Sequence, residues 1–143
     1  MHASLDAAGD PDRLFSFVDD LGDYPEWMDL VHRVQEVAGA DLPTWDVELR
    51  ARLGPLARSK RLRMQRTAFD PLARTVTFER SEPDGRSHSA WVLRASVHER
   101  GGGSSLDVHL HYGGALWTGG VLERVLAEKI RHGQDRLREL STG

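Results

Sequence analysis

The stretch from Thr118 to Ser141 carries apolar residues at helical spacing. Leu122, Leu126, Ile130, Gly133, Leu137 and Leu140 fall on one stripe of a helical wheel, and Arg124, Glu128, Arg131, Asp135 and Arg138 on the opposite side. This predicts a helix of about six turns with one face to bury. Near the N-terminus, His2 to Ala7 reads as a short first strand. Asp10-Pro11-Asp12 predicts a helix start, with Asp10 as cap and Pro11 at the first helical position. Leu14, Phe17, Val18 and Leu21 share a face of that helix, and Gly22 is its expected stop. Asp23-Tyr24-Pro25-Glu26 predicts a second short helix capped by Asp23, with Trp27 and Met28 closing the pair as a plug for one end of the core.

From Leu30 the period changes to two. Val31 to Val37 is the next strand and Ala38 to Pro43 a turn. Trp45, Val47, Leu49, Ala51 and Leu53 then alternate with Asp46, Glu48, Arg50 and Arg52, the pattern of a half-buried antiparallel strand. Gly54-Pro55, Asp70-Pro71, Pro83-Asp84-Gly85 and Gly101-Gly102-Gly103 are turns. They separate Leu62 and Met64, then Val76 and Phe78, then Trp91, Leu93, Ala95 and Val97, then Leu106, Val108, Leu110 and Tyr112. Pairing the hairpins sets Val47 beside Met64, Met64 beside Phe78, Phe78 beside Trp91, and Trp91 beside Tyr112. On the other face, Glu48 meets Arg63, Arg63 meets Glu79, and Ser96 meets Asp107. A one-residue slip would reverse every side chain, so four agreeing hairpins predict a curved sheet with one apolar face. The terminal helix is its natural cover, giving an α+β fold with six to seven antiparallel strands.

The totals narrow the function classes. The 143 residues suit a single domain spanning 1–143, with a core of ordinary size. Net charge is −3, which gives no general reason to expect nucleic acid or an anionic membrane. Seven Lys or Arg residues lie between Arg50 and Arg66, but Glu48 and Glu79 are expected among them, as on a charged sheet exterior. The chain has no cysteine, so disulfides, thiolate nucleophiles and sulfur-rich zinc sites are excluded; this fits the cytoplasm. No apolar run approaches membrane-spanning length.

The order of a strand, two short helices, a six-stranded meander and a long closing helix resembles the helix-grip fold of the START-like (SRPBCC) superfamily. More narrowly, the chain resembles the bacterial polyketide cyclase/dehydrase and lipid-transport group. The residues that carry the likeness are Asp19-Asp20-Leu21-Gly22-Asp23-Tyr24-Pro25-Glu26-Trp27, Gly54-Pro55-Leu56, Tyr112, and the Leu122/Leu126/Ile130/Leu137 face. The resemblance covers nearly the whole chain and implies a cavity between sheet and helix that takes an apolar guest. It transfers no catalytic residue, because these motifs are mainly structural and the superfamily hosts many functions.

The expected ligand-facing set is Trp45, Met64, Arg66, Phe78, Arg80, Trp91, Tyr112 and Gly133. Trp45, Met64, Phe78 and Trp91 offer apolar surface, and Tyr112 adds a hydroxyl. Gly133 interrupts the helix stripe where leucine would pack better, leaving space for a guest or for a tryptophan from the sheet. Arg66 and Arg80 fall in the inward phase. Each needs a partner, a route to solvent along its stem, or an anionic guest to hold with its planar donors. Asp107, His109 and His111 alternate on one strand but lie on its outer face with His88 and His98, so no metal or cofactor is expected.

Three functions follow: a carrier of an apolar or aromatic molecule (lipid, polyketide or quinone-like), a polyketide aromatase/cyclase or dehydratase, and a protein-interaction module like the superfamily's ribosome-associated branch. The inward strand positions offer the enzyme only Tyr112, Arg66 and Arg80, with Glu26, Asp29 or His32 as loop bases. The interaction module would use an exposed apolar patch around Ala90 and Val92. A homodimer is compatible with the sequence.

Overall fold

The computed structural model describes residues 2–53, 55–113 and 121–142, excluding the side chains of 53, 56, 58 and 121–126. The expected packing of Leu122 and Leu126, the outward placing of Arg124, and the Gly54 turn with Leu56 therefore lie outside the described residues.

The elements are β1 (His2–Ala7), α1 (Pro11–Ser16), a 3-10 helix (Leu21–Glu26), β2 (Val31–Glu36), β3 (Thr44–Leu53), β4 (Leu56–Asp70), β5 (Thr75–Arg80), β6 (Trp91–Arg100), β7 (Gly103–Tyr112) and α2 (Val121–Thr142). The seven strands form one curled antiparallel sheet in the order β1-β7-β6-β5-β4-β3-β2, and α2 completes the α+β helix-grip arrangement. The meander runs through neighbours, and the first strand joins its far edge by pairing with the last.

Alternation decides the faces. Trp45, Val47 and Ala51 of β3, Leu62 and Met64 of β4, Val76 and Phe78 of β5, Trp91, Ala95 and Val97 of β6, and Leu106 of β7 are all buried. The register differs from the expected one in three of four hairpins. Val47 pairs with Leu62, Met64 with Arg80, and Phe78 with Leu93; only Trp91–Tyr112 and Ser96–Asp107 pair as expected. Each error is a shift of two residues, which leaves every side chain on its face because the pleat repeats every two. The cause is where the hairpins close. Leu53 pairs with Leu56 at the β3–β4 turn, and β4 carries a bulge between Arg66 and Ala68. On the outer face, Arg63 therefore meets Asp46, and Glu48 meets Arg61. The β6–β7 hairpin fits its sequence closely: Arg100 pairs with Gly103 around Gly101 and Gly102, both at positive φ (55° and 84°), as a two-residue loop of this hand requires.

The helical entry differs in detail from the sequence reading. α1 is a turn and a half long, and Asp10 caps it through the Asp12 N–H at 3.4 Å. Phe15 is buried while Phe17 is only partly buried. The second helix is 3-10 and starts earlier than expected. Asp20, not Asp23, caps it by accepting from the Gly22 N–H at 2.7 Å, so Gly22 lies inside the helix and does not stop the first one. Trp27 and Met28 are buried in the core, as expected of a plug.

On α2, Gly133 and Leu137 are buried and Ile130 and Leu140 pack against the core, while Glu128, Arg131, Asp135 and Arg138 are exposed. Gln134 donates to the Ser4 carbonyl (2.8 Å) and Arg138 to that of Asp6 (3.2 Å), fixing the helix along β1. Arg13 of α1 donates to the Leu140 carbonyl at 3.2 Å, tying the two helices together. No described helix is long and apolar enough to cross a membrane.

Candidate functional site

The concave face and the chain that crosses it border a partly open cavity of about 90 Å³. Alternation supplies its floor: Val47 and Leu49 of β3, Leu62 and Met64 of β4, Trp91 and Leu93 of β6, and Val108 and Leu110 of β7. The 3-10 helix and the chain after it give Leu21, Tyr24, Trp27, Met28 and Leu30, β2 gives Val31, and α2 gives Ile130. None of these side chains is ionisable near neutral pH. The two methionines make part of the wall deformable, because their thioether side chains have three soft torsions.

The polar tips of the aromatic lining are mostly used elsewhere. Tyr24 donates its hydroxyl to the Val18 carbonyl at 2.9 Å, and burial raises its pKa far above the usual value. Trp27 donates its indole N–H to the Phe17 carbonyl at 3.0 Å. Trp91 differs: its Nε1 is buried and has no hydrogen-bond partner among the described residues. A buried donor left unmade costs roughly 1–3 kcal/mol, so this atom stands out against the satisfied lining.

The expected site residues divide by environment. Met64 and Trp91 line the cavity. Tyr112 is half-buried beside Trp91, with ring centroids 5.5 Å apart. Trp45 and Phe78 pack edge to face at 5.6 Å in the core and lie outside the lining. Gly133 sits against the Trp27 carbonyl and the end of Met28, so chain from the helical entry occupies the space beside it, and no tryptophan side chain from the sheet is among its nearest neighbours.

Both inward-phase arginines have protein partners. Arg66 donates to the Asp19 carbonyl at 3.1 Å, and its guanidinium lies 4.0 Å from the centroid of the Phe69 ring. Arg80 pairs with Glu82 at 3.0 Å and donates to the Ser89 carbonyl and hydroxyl at 3.3 and 3.2 Å. Burial, then the neighbouring Asp20, raises the Asp19 carboxyl pKa, and Arg66 opposes the rise. Glu26, Asp29 and His32, the loop candidates for a base, are exposed and outside the lining, and Asp29 pairs with His132 at 3.3 Å.

One inward phase escaped the sequence reading, which expects Arg58 and Lys60 near the Gly54 turn at the cavity mouth but assigns neither to a face. Lys60 shares the phase of Leu62 and Met64 and pairs across the ladder with Leu49. Its Nζ lies 6.0 Å from the Trp91 ring centroid, and burial, then the charge of Arg80, lowers its pKa. Continuing the alternation two residues back from Leu62 would have found it. Arg58, the other cation expected near this mouth, lies outside the described side chains.

The outer face is a solvated charged surface. A more open concavity of about 320 Å³ there is lined by Arg33, Asp46, Glu48, Arg61, Arg63 and Glu82 among others. Asp46 takes two hydrogen bonds from Arg63, at 2.8 and 3.1 Å, which lower its pKa. Asp107 accepts from Ser4 at 2.9 Å and lies 3.3 Å from His2 and 3.8 Å from His98. Among the described residues, no group of three or more His, Asp or Glu is placed to hold a metal.

Residues 1–142 match the family model described as polyketide cyclase/dehydrase and lipid transport. The chain belongs to this family. Membership and fold support hydrophobic-ligand binding or a cyclase role without choosing between them. A START superfamily protein from Mycobacterium smegmatis is similar in structure, with a TM-score of 0.75 at 15% identity, covering 99% of this chain and 96% of that one. The protein TTHA0849 from Thermus thermophilus is similar at TM-score 0.72 and 14% identity, with coverage of 99% and 96%. The di-domain aromatase/cyclase StfQ of the steffimycin biosynthetic pathway matches at TM-score 0.65 and 14% identity, with 96% of this chain lying on 45% of that one. At these identities the likenesses establish the fold. A comparison with curated proteins finds no match.

Proposed function

We propose that this member of the polyketide cyclase/dehydrase and lipid-transport family is a binding or carrier protein for an apolar small molecule, held between the sheet and the chain crossing it. The observation that carries this reading is the cavity of about 90 Å³ lined by apolar and aromatic side chains from five strands, the 3-10 region and α2. A partly open apolar cavity gains dispersion contacts and buried area when a guest fills it. For comparison, an engineered cavity of about 150 Å³ admits benzene. The resting volume here therefore takes a slender chain segment, and a ring needs Met28 and Met64 to give way.

A carrier reading is favoured over cyclase or dehydratase chemistry because, among the described residues, the lining supplies no carboxylate or imidazole to move a proton at a bound guest. Arg66 and Arg80, the cations considered for polarising one, are bonded to protein groups. An interaction module has less support. The large exposed apolar residues among those described, Leu42, Phe69 and Leu72, sit in or beside turns, and Phe69 is stacked on Phe15.

The test is native mass spectrometry of the purified protein, followed by solvent extraction. A stoichiometric, extractable hydrophobic compound is the expected result. Protein that is empty and also fails to take up apolar fluorophores would contradict the carrier reading.

A further inference from the structure

The two edges of the sheet are finished differently. On β1, side chains of α2 take the Ser4 and Asp6 carbonyls: Gln134 donates to the first at 2.8 Å and Arg138 to the second at 3.2 Å. The opposite edge is β2, and its outward main-chain groups have no such cover among the described residues.

The register identifies those groups. Val37 donates to the Thr44 carbonyl at 2.9 Å, in the register that sets Val34 against Val47 and Glu36 against Trp45. Bonded and non-bonded pairs alternate along an antiparallel ladder. Arg33 and Gln35 therefore turn their N–H and C=O groups toward β3, and Val34 and Glu36 turn theirs outward. The bond from the Arg66 N–H to the Pro43 carbonyl, 2.9 Å, agrees: it commits Trp45 and Val47 to β4 and leaves Asp46 and Glu48 for β2. A bulge between Val31 and Arg33 ends the regular edge. Such an edge is a template for another strand.

We propose that β2 pairs antiparallel with β2 of a second copy of this chain, about a two-fold axis at Val34, joining the two sheets edge to edge. Bonding requires outward groups to meet outward groups, which leaves few registers. Centring on Val34 sets that half-buried valine against its own copy and the exposed Arg33 against the exposed Gln35. Arg33 then lies between Glu48 of its own chain and Gln35 of the other, whose neighbour across the ladder is Asp46. Centring one residue earlier opposes two guanidinium groups. One residue later sets Val34 against Glu36, and two later opposes two carboxylates. Polarity and charge thus select the first register, and the same patch meets itself as a closed two-fold dimer requires. The edge is short, so the dimer is weak and forms at high protein concentration.

The test is sedimentation velocity of the full chain between about 10 µM and about 1 mM, with amide exchange followed by NMR at both ends of the range. A monomer at the low end and a growing dimer fraction, with Kd on the order of 100 µM, is the expected result for so small an interface. The Val34 and Glu36 amides should exchange fast in dilute protein and slowly in concentrated protein, a readout that needs no variant. Gln35→Lys keeps a favourable neighbour within the chain, Asp46, but sets a cation against Arg33 of the second copy. That pair occurs twice per dimer, so association should weaken about tenfold. Val34→Lys, which opposes two cations at the axis, should abolish it. A monomer throughout, with both amides exchanging equally fast at the two concentrations, would overturn the proposal and leave the edge to an extended segment of another protein. A dimer that Gln35→Lys leaves unchanged would place the interface elsewhere and overturn it too.

Discussion

Gly133 of α2 lies directly against the main-chain carbonyl of Trp27: a Cβ built on the glycine would come 2.8 Å from that oxygen and 3.2 Å from Met28 Cε. The contact explains why a glycine interrupts the apolar stripe of a long helix. It brings α2 close to the chain leaving the 3-10 helix, two of whose residues, Trp27 and Met28, wall the cavity.

Gly133→Ala should therefore destabilise the protein. Alanine favours the helix by about 1 kcal/mol, but overpacking against a fixed carbonyl costs about 1–3 kcal/mol. Met28 can yield; the Trp27 carbonyl can move only with its backbone. Urea denaturation should show a lower midpoint with an unchanged slope. A higher midpoint would mean that the helix and the Trp27 segment are not in this contact.

Tyr24→Phe tests the anchoring of the 3-10 region. The Tyr24 hydroxyl donates to the Val18 carbonyl at 2.9 Å in a buried setting, so its removal leaves that carbonyl unpaired, a loss of about 1–3 kcal/mol. The ring stays packed near Trp27 and Phe78, so circular dichroism should keep the native form while the denaturation midpoint falls.

The architecture was largely legible in the sequence because its signals are periodic and local. Trp45-Val47 and Leu62-Met64 alternate cleanly, and the α2 stripe repeats at helical spacing. Register was less legible. The distance from Leu53 to Leu56 and the bulge near Thr67 depend on how the chain closes, and alternation is blind to shifts of two residues. The 3-10 cap at Asp20 was hidden by three aspartates within five residues, each a plausible cap by composition. Long-range matters were beyond the pattern: the carbonyl beside Gly133, the Asp19 carbonyl that Arg66 meets, and the Trp91 donor without an acceptor all depend on residues distant in the chain. The inward phase of Lys60 was within reach, since it extends the Leu62–Met64 alternation by one step.

Acid sensitivity should come partly from the outer face. Hydrogen bonds from Ser4 and His2 hold the Asp107 carboxyl below its ordinary value, and Arg63 does the same for Asp46. A carboxyl with a depressed folded-state pKa contributes stability that is present above its unfolded value, about 3.9, and is lost as pH falls through the lower folded value. Asp19 and Asp23, raised chiefly by burial, have the opposite sign and lose stability as pH rises through and above the ordinary carboxylate range. Asp107→Asn should therefore flatten the acid limb of stability plotted against pH. A wild-type slope below pH 4 in that variant would show that this carboxylate is not coupled to folding.

The most direct measurement of the central claim, that a guest occupies the apolar hollow, is a titration of N-phenyl-1-naphthylamine into wild-type protein and Val108→Phe. Val108 is half-buried at the cavity wall, so the larger ring fills the hollow with limited overpacking. Saturable, blue-shifted fluorescence with wild-type protein, and affinity at least about tenfold weaker in a variant that still unfolds cooperatively, is the predicted result. Equal binding by the two proteins, or no saturable binding by wild type, would contradict it.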